Sequence, residues 1–217
     1  MDIEHARFNM IEQQIRPWEV LDPVVLDLLH KVKREDFVPA IYRSLAFVDM
    51  AIPLGNGDFM WEPKLEGRVV QILEPKRTDR ILEVGTGSGY LTALLASLAA
   101  QVISVEIDPA MKDEAEKKLR AHGLTNFTLK VGDGARDWAE DGKFDTIVLT
   151  GSTPVLPEAY LGRLNPGGRL FVLVGEGPMM TATLATCVAP GDYKYSGLFE
   201  TRVKTLVNAF EPERFEF

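Results

Sequence analysis

A single cysteine, three histidines and a shortage of basic residues set the first bounds on this 217-residue chain. Cys187 alone cannot form an intrachain disulfide, so an oxidising compartment is not needed. His5, His30 and His122 have no metal-ligand spacing to one another or to Cys187, which leaves no metal site expected and reads them as helix-surface residues. Lys and Arg total 24 against 32 Asp and Glu, a formal net charge of −8, which argues against a nucleic-acid partner bound through its phosphates. The one basic cluster, Lys31-Val32-Lys33-Arg34, runs straight into Glu35 and Asp36 and reads as a solvated helix end. Long apolar runs are missing too. The longest uncharged one, Tyr90 to Ala100, is too short to span a bilayer, and Met1 to Arg7 carries charges of both signs with no apolar secretory core. A cytoplasmic chain with no membrane partner is the expectation.

With 46% hydrophobic residues the chain can bury one substantial core. Its most informative stretch is Ile81-Leu82-Glu83-Val84-Gly85-Thr86-Gly87-Ser88-Gly89-Tyr90, a buried-strand run feeding a glycine turn with an acid just before it. Alternating glycines let a ligand approach main chain that a Cβ would otherwise block. A dinucleotide turn wants a small residue where Tyr90 stands, and a triphosphate loop wants Lys followed by Ser or Thr after its last glycine. Neither fits, and an ordinary strand-to-helix turn remains the plain alternative.

The following segments change that balance. After the apolar helix Leu91 to Ala100, a second strand, Val102 to Val105, closes on Glu106-Ile107-Asp108-Pro109. An acid at that strand end either accepts from a ribose diol or is a solvated charge, while Asp108-Pro109 reads as the cap and first residue of a helix that stops at Gly123. A third strand, Phe127 to Val131, runs into Gly132-Asp133-Gly134, where Asp133 either accepts from an exocyclic amine or caps a short helix beginning at Ala135. A fourth, Phe144 to Leu149, ends in Thr150-Gly151-Ser152-Thr153-Pro154. In an open α/β sheet these strand ends converge on one crevice.

The pattern acid-x-Gly-x-Gly-x-Gly resembles the first motif of S-adenosylmethionine-dependent methyltransferases with the Rossmann-like fold. That resemblance implies S-adenosyl-L-methionine as cofactor, held by Glu83, Gly85, Thr86, Gly87, Ser88, Gly89, Glu106, Ile107, Asp133, Gly134 and Thr150, with Asp133 facing the adenine. Arg34 to Pro39, then Asp49-Met50-Ala51-Ile52-Pro53-Leu54-Gly55-Asn56-Gly57, and later Leu149 to Pro154 and Leu164 to Leu170, resemble protein-L-isoaspartate O-methyltransferases over most of the chain. The chain departs from that family at its substrate motif, where Asp58-Phe59-Met60-Trp61-Glu62-Pro63 keeps only the proline. Trp61 stands where the family has a serine that helps place the substrate carboxylate, and an indole donates one hydrogen bond but accepts none. Asp58 and Glu62 add negative charge there unless Arg68, Lys64 or Arg16 offsets it. Phe59 to Trp61 reads equally as a core plug or as a substrate-stacking surface. The segment Phe199 to Leu206 also lacks the Phe-Val-Pro-Leu ending.

The expected organisation is an N-terminal helical extension with the substrate-side segment over residues 1–75 and an S-adenosylmethionine-binding domain over 76–217, as one compact unit. Apolar residues at Ile3, Ala6, Met10, Ile11 and Ile15 share a helical face that Arg16-Pro17-Trp18 ends; Asp22-Pro23 and Pro63 open two further helices. Beyond Asn165-Pro166-Gly167-Gly168, Arg169 to Val174 reads as a buried strand, and segments near 181–188 and 193–203 as an antiparallel edge pair. Together with the resemblance, this implies an α/β, Rossmann-like class I methyltransferase fold: a mostly parallel seven-stranded sheet, helices on both faces, and an antiparallel C-terminal edge.

The implied activity is methylation of the carboxylate of isoaspartyl residues in damaged proteins, with Thr150, Ser152 and Thr153 around the transferred methyl and Met60-Trp61 covering the acceptor side. Two alternatives stand beside it: an enzyme of the same family redirected to another acceptor, including a small molecule, and a non-catalytic S-adenosylmethionine-binding module.

Overall fold

A computed structural model describes residues 2–211. Before the sheet come α1 (Ile3–Met10), α2 (Pro23–Lys31), the hairpin β1 (Ile52–Gly55) and β2 (Asp58–Met60), and α3 (Pro63–Leu73). Then follow β3 (Arg80–Val84), α4 (Tyr90–Leu98), β4 (Gln101–Glu106), α5 (Pro109–Ala121), β5 (Phe127–Val131), β6 (Phe144–Thr153), β7 (Leu164–Val174), β8 (Met180–Ala189) and β9 (Asp192–Thr201). The seven-stranded sheet has the order β5-β4-β3-β6-β7-β8-β9, parallel through β7 and antiparallel at β8 and β9. The chain winds outward from β3 to β5 and then returns to the other side of β3. The switch point therefore lies between β3 and β6, where open α/β sheets bind ligands.

The central strands are buried on both sides, which is why they read as continuous apolar runs. Ile81, Val102, Val148 and Phe171 face one core, shared with α2, α3, α4 and the N-terminal turns. Leu82, Ile103, Ile147 and Leu170 face the other, covered by Tyr160 and Leu161 of the 3-10 helix Glu158–Arg163 and by Trp138. Helix α4 is buried nearly all round, as an apolar helix without a polar face must be. Asp145 joins three strands at the sheet's base: its carboxylate accepts from the Arg80 main-chain N–H at 2.9 Å and from Asn165 Nδ2 at 2.8 Å.

Several local expectations change. The first helix gives way at Ile11–Ile15 to a π-helical turn, where Gln14 Nε2 donates to the Phe47 carbonyl at 3.0 Å while Ile11 and Ile15 stay buried. No helix begins at Ala135; Asp133 Oδ1 accepts from its N–H at 3.0 Å, but the chain only bends at Ala135 and Arg136 and runs on without regular structure. Arg34 is not solvated. It has no exposed surface, and its guanidinium bonds Glu66, the Trp61 carbonyl at 2.5 Å and the Ala46 carbonyl at 3.0 Å. Burial pulls that guanidinium down to about 10, so it stays charged at neutral pH. Glu35 is buried beside it and pairs with the buried Arg7, so only Lys31 and Lys33 of the basic cluster face solvent.

Strands β6 and β7 run longer than their apolar cores. Pairing passes from Phe144–Leu164 directly to Thr146–Arg169, so the Asn165-Pro166-Gly167-Gly168 turn bulges out of the ladder. A second shift, from Val148–Phe171 to Ser152–Leu173, pushes Leu149-Thr150-Gly151 out of register before pairing resumes. Such bulges bend a strand and re-aim its side chains, and this one lies at the switch point.

Candidate active site

The turn after β3 is tied to β4 through its main chain. Gly85 N–H donates to the Val105 carbonyl at 2.8 Å, and Gly87 N–H to Glu106 Oε2 at 2.9 Å. Gly85 has φ +94°, and a Cβ there would lie 2.2 Å from Thr150 Oγ1, so only glycine fits beside the bulge of β6. Thr150 Oγ1 closes that contact by donating toward the Gly85 carbonyl at 2.7 Å, with the Val84 carbonyl at 3.0 Å.

Around this turn lies a cavity of about 530 Å³, within the range of about 300–1,000 Å³ usual for small-molecule sites. Of the residues expected at the site, Trp61, Gly85, Gly87, Glu106, Ile107, Asp133, Gly134 and Thr150 line it. Apolar walls come from Leu54, Phe59, Val84, Met111 and Leu206. Glu106 Oε1 also accepts from the Asp108 N–H at 3.1 Å, and Asp133 Oδ2 accepts from Asn208 Nδ2 at 2.8 Å. Each carboxylate keeps lone pairs beyond these bonds.

The other expected residues lie off the lining. Glu83 is wholly buried on β3; Thr92 Oγ1 donates to its Oε2 at 2.5 Å, and Oε1 has no partner. Burial pushes its carboxyl up to about 7, against the opposing effect of the Ser104 and Thr92 hydroxyls. Thr86 shares a 2.6 Å hydrogen bond with Ser104, Ser88 Oγ accepts from the Tyr90 N–H at 3.2 Å, and Gly89 backs onto Ala115 of α5. Ser152 and Thr153 rejoin the ladder with β7 after the bulge and are buried.

Ser152 instead anchors a segment that the sequence left unassigned. Its N–H donates to the Lys204 carbonyl at 3.0 Å, its carbonyl accepts from the Leu206 N–H at 2.9 Å, and its hydroxyl meets Thr205 Oγ1 at 3.0 Å. Residues Thr201 to Val207 are thereby laid along the cavity wall. The only hint in the sequence was that Phe199 to Leu206 departed from an expected ending.

Two lysines, Lys204 of this segment and Lys64 of α3, resolve the charge problem at Asp58 and Glu62. Lys204 Nζ pairs with Asp58 at 2.7 Å, and Lys64 pairs with Glu62 at 3.2 Å and Asp49 at 2.8 Å. Of the three cations expected to offset these acids only Lys64 does so; Arg68 is taken by Glu19 and Arg16 by Glu12. Met60 and Trp61 are buried while Phe59 is half-exposed, so the segment is core plug and cavity wall at once.

The profile of the family described as protein-L-isoaspartate(D-aspartate) O-methyltransferase matches residues 5–197. The chain belongs to that family. A protein-L-isoaspartate O-methyltransferase of Petrotoga mobilis is 34% identical over 195 residues, covering 89% of this chain and 92% of its own. Protein-L-isoaspartate O-methyltransferase 2 of Marinobacter nauticus is 34% identical over 207 residues, covering 95% and 94%. The fold is shared with a Plasmodium falciparum chain described as a protein-L-isoaspartate O-methyltransferase and solved in complex with S-adenosyl-L-homocysteine. That likeness has a TM-score of 0.77 at 19% identity and covers 95% of this chain and 99% of that one. As a protein-L-isoaspartate O-methyltransferase family member, this chain carries Asp58, Phe59, Trp61 and Glu62 on a cavity wall, with both acids paired.

Among the described residues no cluster of His, Cys, Asp and Glu could hold a metal ion, and no helix is long and apolar enough to cross a membrane.

Proposed function

We propose that this protein is an S-adenosylmethionine-dependent O-methyltransferase that esterifies the free carboxylate of isoaspartyl residues in proteins and peptides. The observation that carries this reading is a single cavity joining the glycine turn, Glu106 and Asp133 to the Trp61-Glu62 wall, in a chain of this family.

The residues present fit the cofactor. The turn lines the cavity at Gly85 and Gly87, where no side chain stands between main chain and ligand, and the two acids follow neighbouring strands with lone pairs to spare. Glu106 would accept from the ribose hydroxyls and Asp133 from the adenine amine, with Ile107 and Met111 as apolar flanks. When bound, S-adenosylmethionine supplies an electrophilic sulfonium methyl.

An acceptor carboxylate is ionised at neutral pH, so the chain need hold no general base. Its residues instead orient and dehydrate the nucleophile. Leu54, Phe59, Leu65 and Leu206 supply the apolar surroundings, and Thr150, locked by its bonds to Val84 and Gly85, fixes the floor. The Trp61 indole N–H has no partner among the described residues, and the Trp61 carbonyl is held by Arg34. Because Asp58 and Glu62 are both paired, the wall does not repel an anionic acceptor as the bare sequence suggested.

The test is transfer of a labelled methyl group to an isoaspartyl peptide, to the same peptide with ordinary aspartate, and to a panel of small acids. Base-labile ester on the isoaspartyl peptide alone supports the reading. Label on a small acid alone means a redirected acceptor, and no transfer with intact cofactor binding means a binding module.

A further inference from the structure

Six charged side chains line the cavity: Asp58, Glu62, Glu106, Asp133, Arg202 and Lys204. Five are engaged. Asp58 and Lys204 pair with each other, Glu62 pairs with Lys64, Glu106 accepts from the main chain at Gly87 and Asp108, and Asp133 accepts from Ala135 and Asn208. Arg202 is exposed and has no hydrogen bond, ion pair or ring contact among the described residues. Asp58 and Glu62 are neutralised by lysines, so Glu106 and Asp133 leave the lining negative, and Arg202 is the lining cation with no partner among the described residues.

Its backbone is nonetheless fixed on both sides. Thr201 pairs with Met180 in the sheet, and Lys204 to Leu206 are bound to Ser152. Exposure alternates from Thr201 to Thr205, so Arg202 and Lys204 share one face of an extended segment while Thr205 turns inward to Ser152. The Lys204 ammonium, on that face, reaches Asp58 and the Asn56 carbonyl, at the β1–β2 hairpin beside Trp61. Arg202 is thus held at the acceptor wall with a planar fork of donors that meets no partner among the described residues, the geometry suited to a carboxylate.

We propose that Arg202 recognises the acceptor's free carboxylate, replacing the hydroxyl that Trp61 cannot supply. The inference rests on the methyltransferase reading above. The guanidinium holds one carboxylate oxygen. The other oxygen donates its electron pair to the methyl carbon as the carbon–sulfur bond breaks with its pair on sulfur. The ester formed is neutral, so its attraction to Arg202 falls and the product is released. Arg202 therefore sets specificity for an anionic acceptor without touching the cofactor's nucleoside.

Wild type, Arg202→Gln, Arg202→Lys and, as a control, Lys194→Gln on the exposed face of β9 are compared in three measurements: kcat and KM for an isoaspartyl peptide, affinity for S-adenosylhomocysteine, and calorimetric binding of the isoaspartyl peptide and its carboxamide counterpart to the S-adenosylhomocysteine-loaded protein. Arg202→Gln is expected to raise KM about tenfold, the loss of one charge-assisted hydrogen bond, with S-adenosylhomocysteine affinity unchanged. It should also erase the preference for carboxylate over carboxamide, Arg202→Lys should restore part of that preference, and Lys194→Gln should change nothing. An active wild type with KM and preference unchanged in Arg202→Gln overturns the role of Arg202 alone. A wild type that methylates no isoaspartyl peptide overturns the acceptor assignment and this inference with it.

Discussion

The main-chain N–H of Gly87 donates to Glu106 Oε2 at 2.9 Å, so the acid that ends β4 also fastens the turn that follows β3. One side chain is therefore both a brace for the glycine turn and the proposed ribose ligand. Glu106→Ala should weaken S-adenosylhomocysteine binding by about tenfold or more, since a hydrogen bond to a charged group contributes about 1.5–3 kcal/mol. Calorimetry on the folded variant checks this, with circular dichroism to establish that the fold persists.

Gly85 and Gly87 should differ in tolerance. Alanine at Gly87 meets only Leu54 Cδ1 at 3.4 Å, and φ +53° costs about 1–2 kcal/mol. Alanine at Gly85 drives a Cβ into Thr150 Oγ1 at φ +94° and must displace the β6 bulge. Thermal melts should rank Gly85→Ala as the more destabilised, and cofactor affinity should fall further in it than in Gly87→Ala.

The fold's main frame could be read from the chain because its central strands are buried on both sides and written as unbroken apolar runs, and because Asp108-Pro109 marks a helix start by capping chemistry. What could not be read depends on register and distance. Nothing in the uncharged run Ile147 to Thr153 says that the strand slips against β7 at Leu149 to Gly151, yet that slip brings Thr150 to the cavity and sends Ser152 and Thr153 into the sheet. The ion pairs Arg34–Glu66 and Lys204–Asp58 join residues 32 and 146 positions apart, so Arg34 looked like a surface cation and Asp58 like an uncompensated acid.

Glu83 gives a pH dependence of definite sign. Burial raises its carboxyl from 4.5 to about 7, so between those values the unfolded chain has released a proton that the folded chain retains. Its contribution is fully present below pH 4.5, is lost as pH rises toward 7 and stays level above, a change on the order of 3 kcal/mol. Glu83→Gln should remove that slope from a plot of urea-unfolding stability against pH.

Arg34 should be far more costly to remove singly than together with its partner. Arg34→Met leaves Glu66 charged and buried, a loss of about 3–5 kcal/mol, whereas Arg34→Met with Glu66→Met removes both charges. The Trp61 and Ala46 carbonyls remain without their donor, so recovery is partial. A double-mutant cycle from denaturant midpoints measures the coupling.

The most direct measurement is a crystal structure of the protein with S-adenosylhomocysteine. The ribose hydroxyls are expected within hydrogen-bonding distance of Glu106, the adenine amine at Asp133, and the sulfur facing the Trp61 and Arg202 wall. A nucleoside lodged outside this cavity, or one whose ribose makes no contact with Glu106, would contradict it.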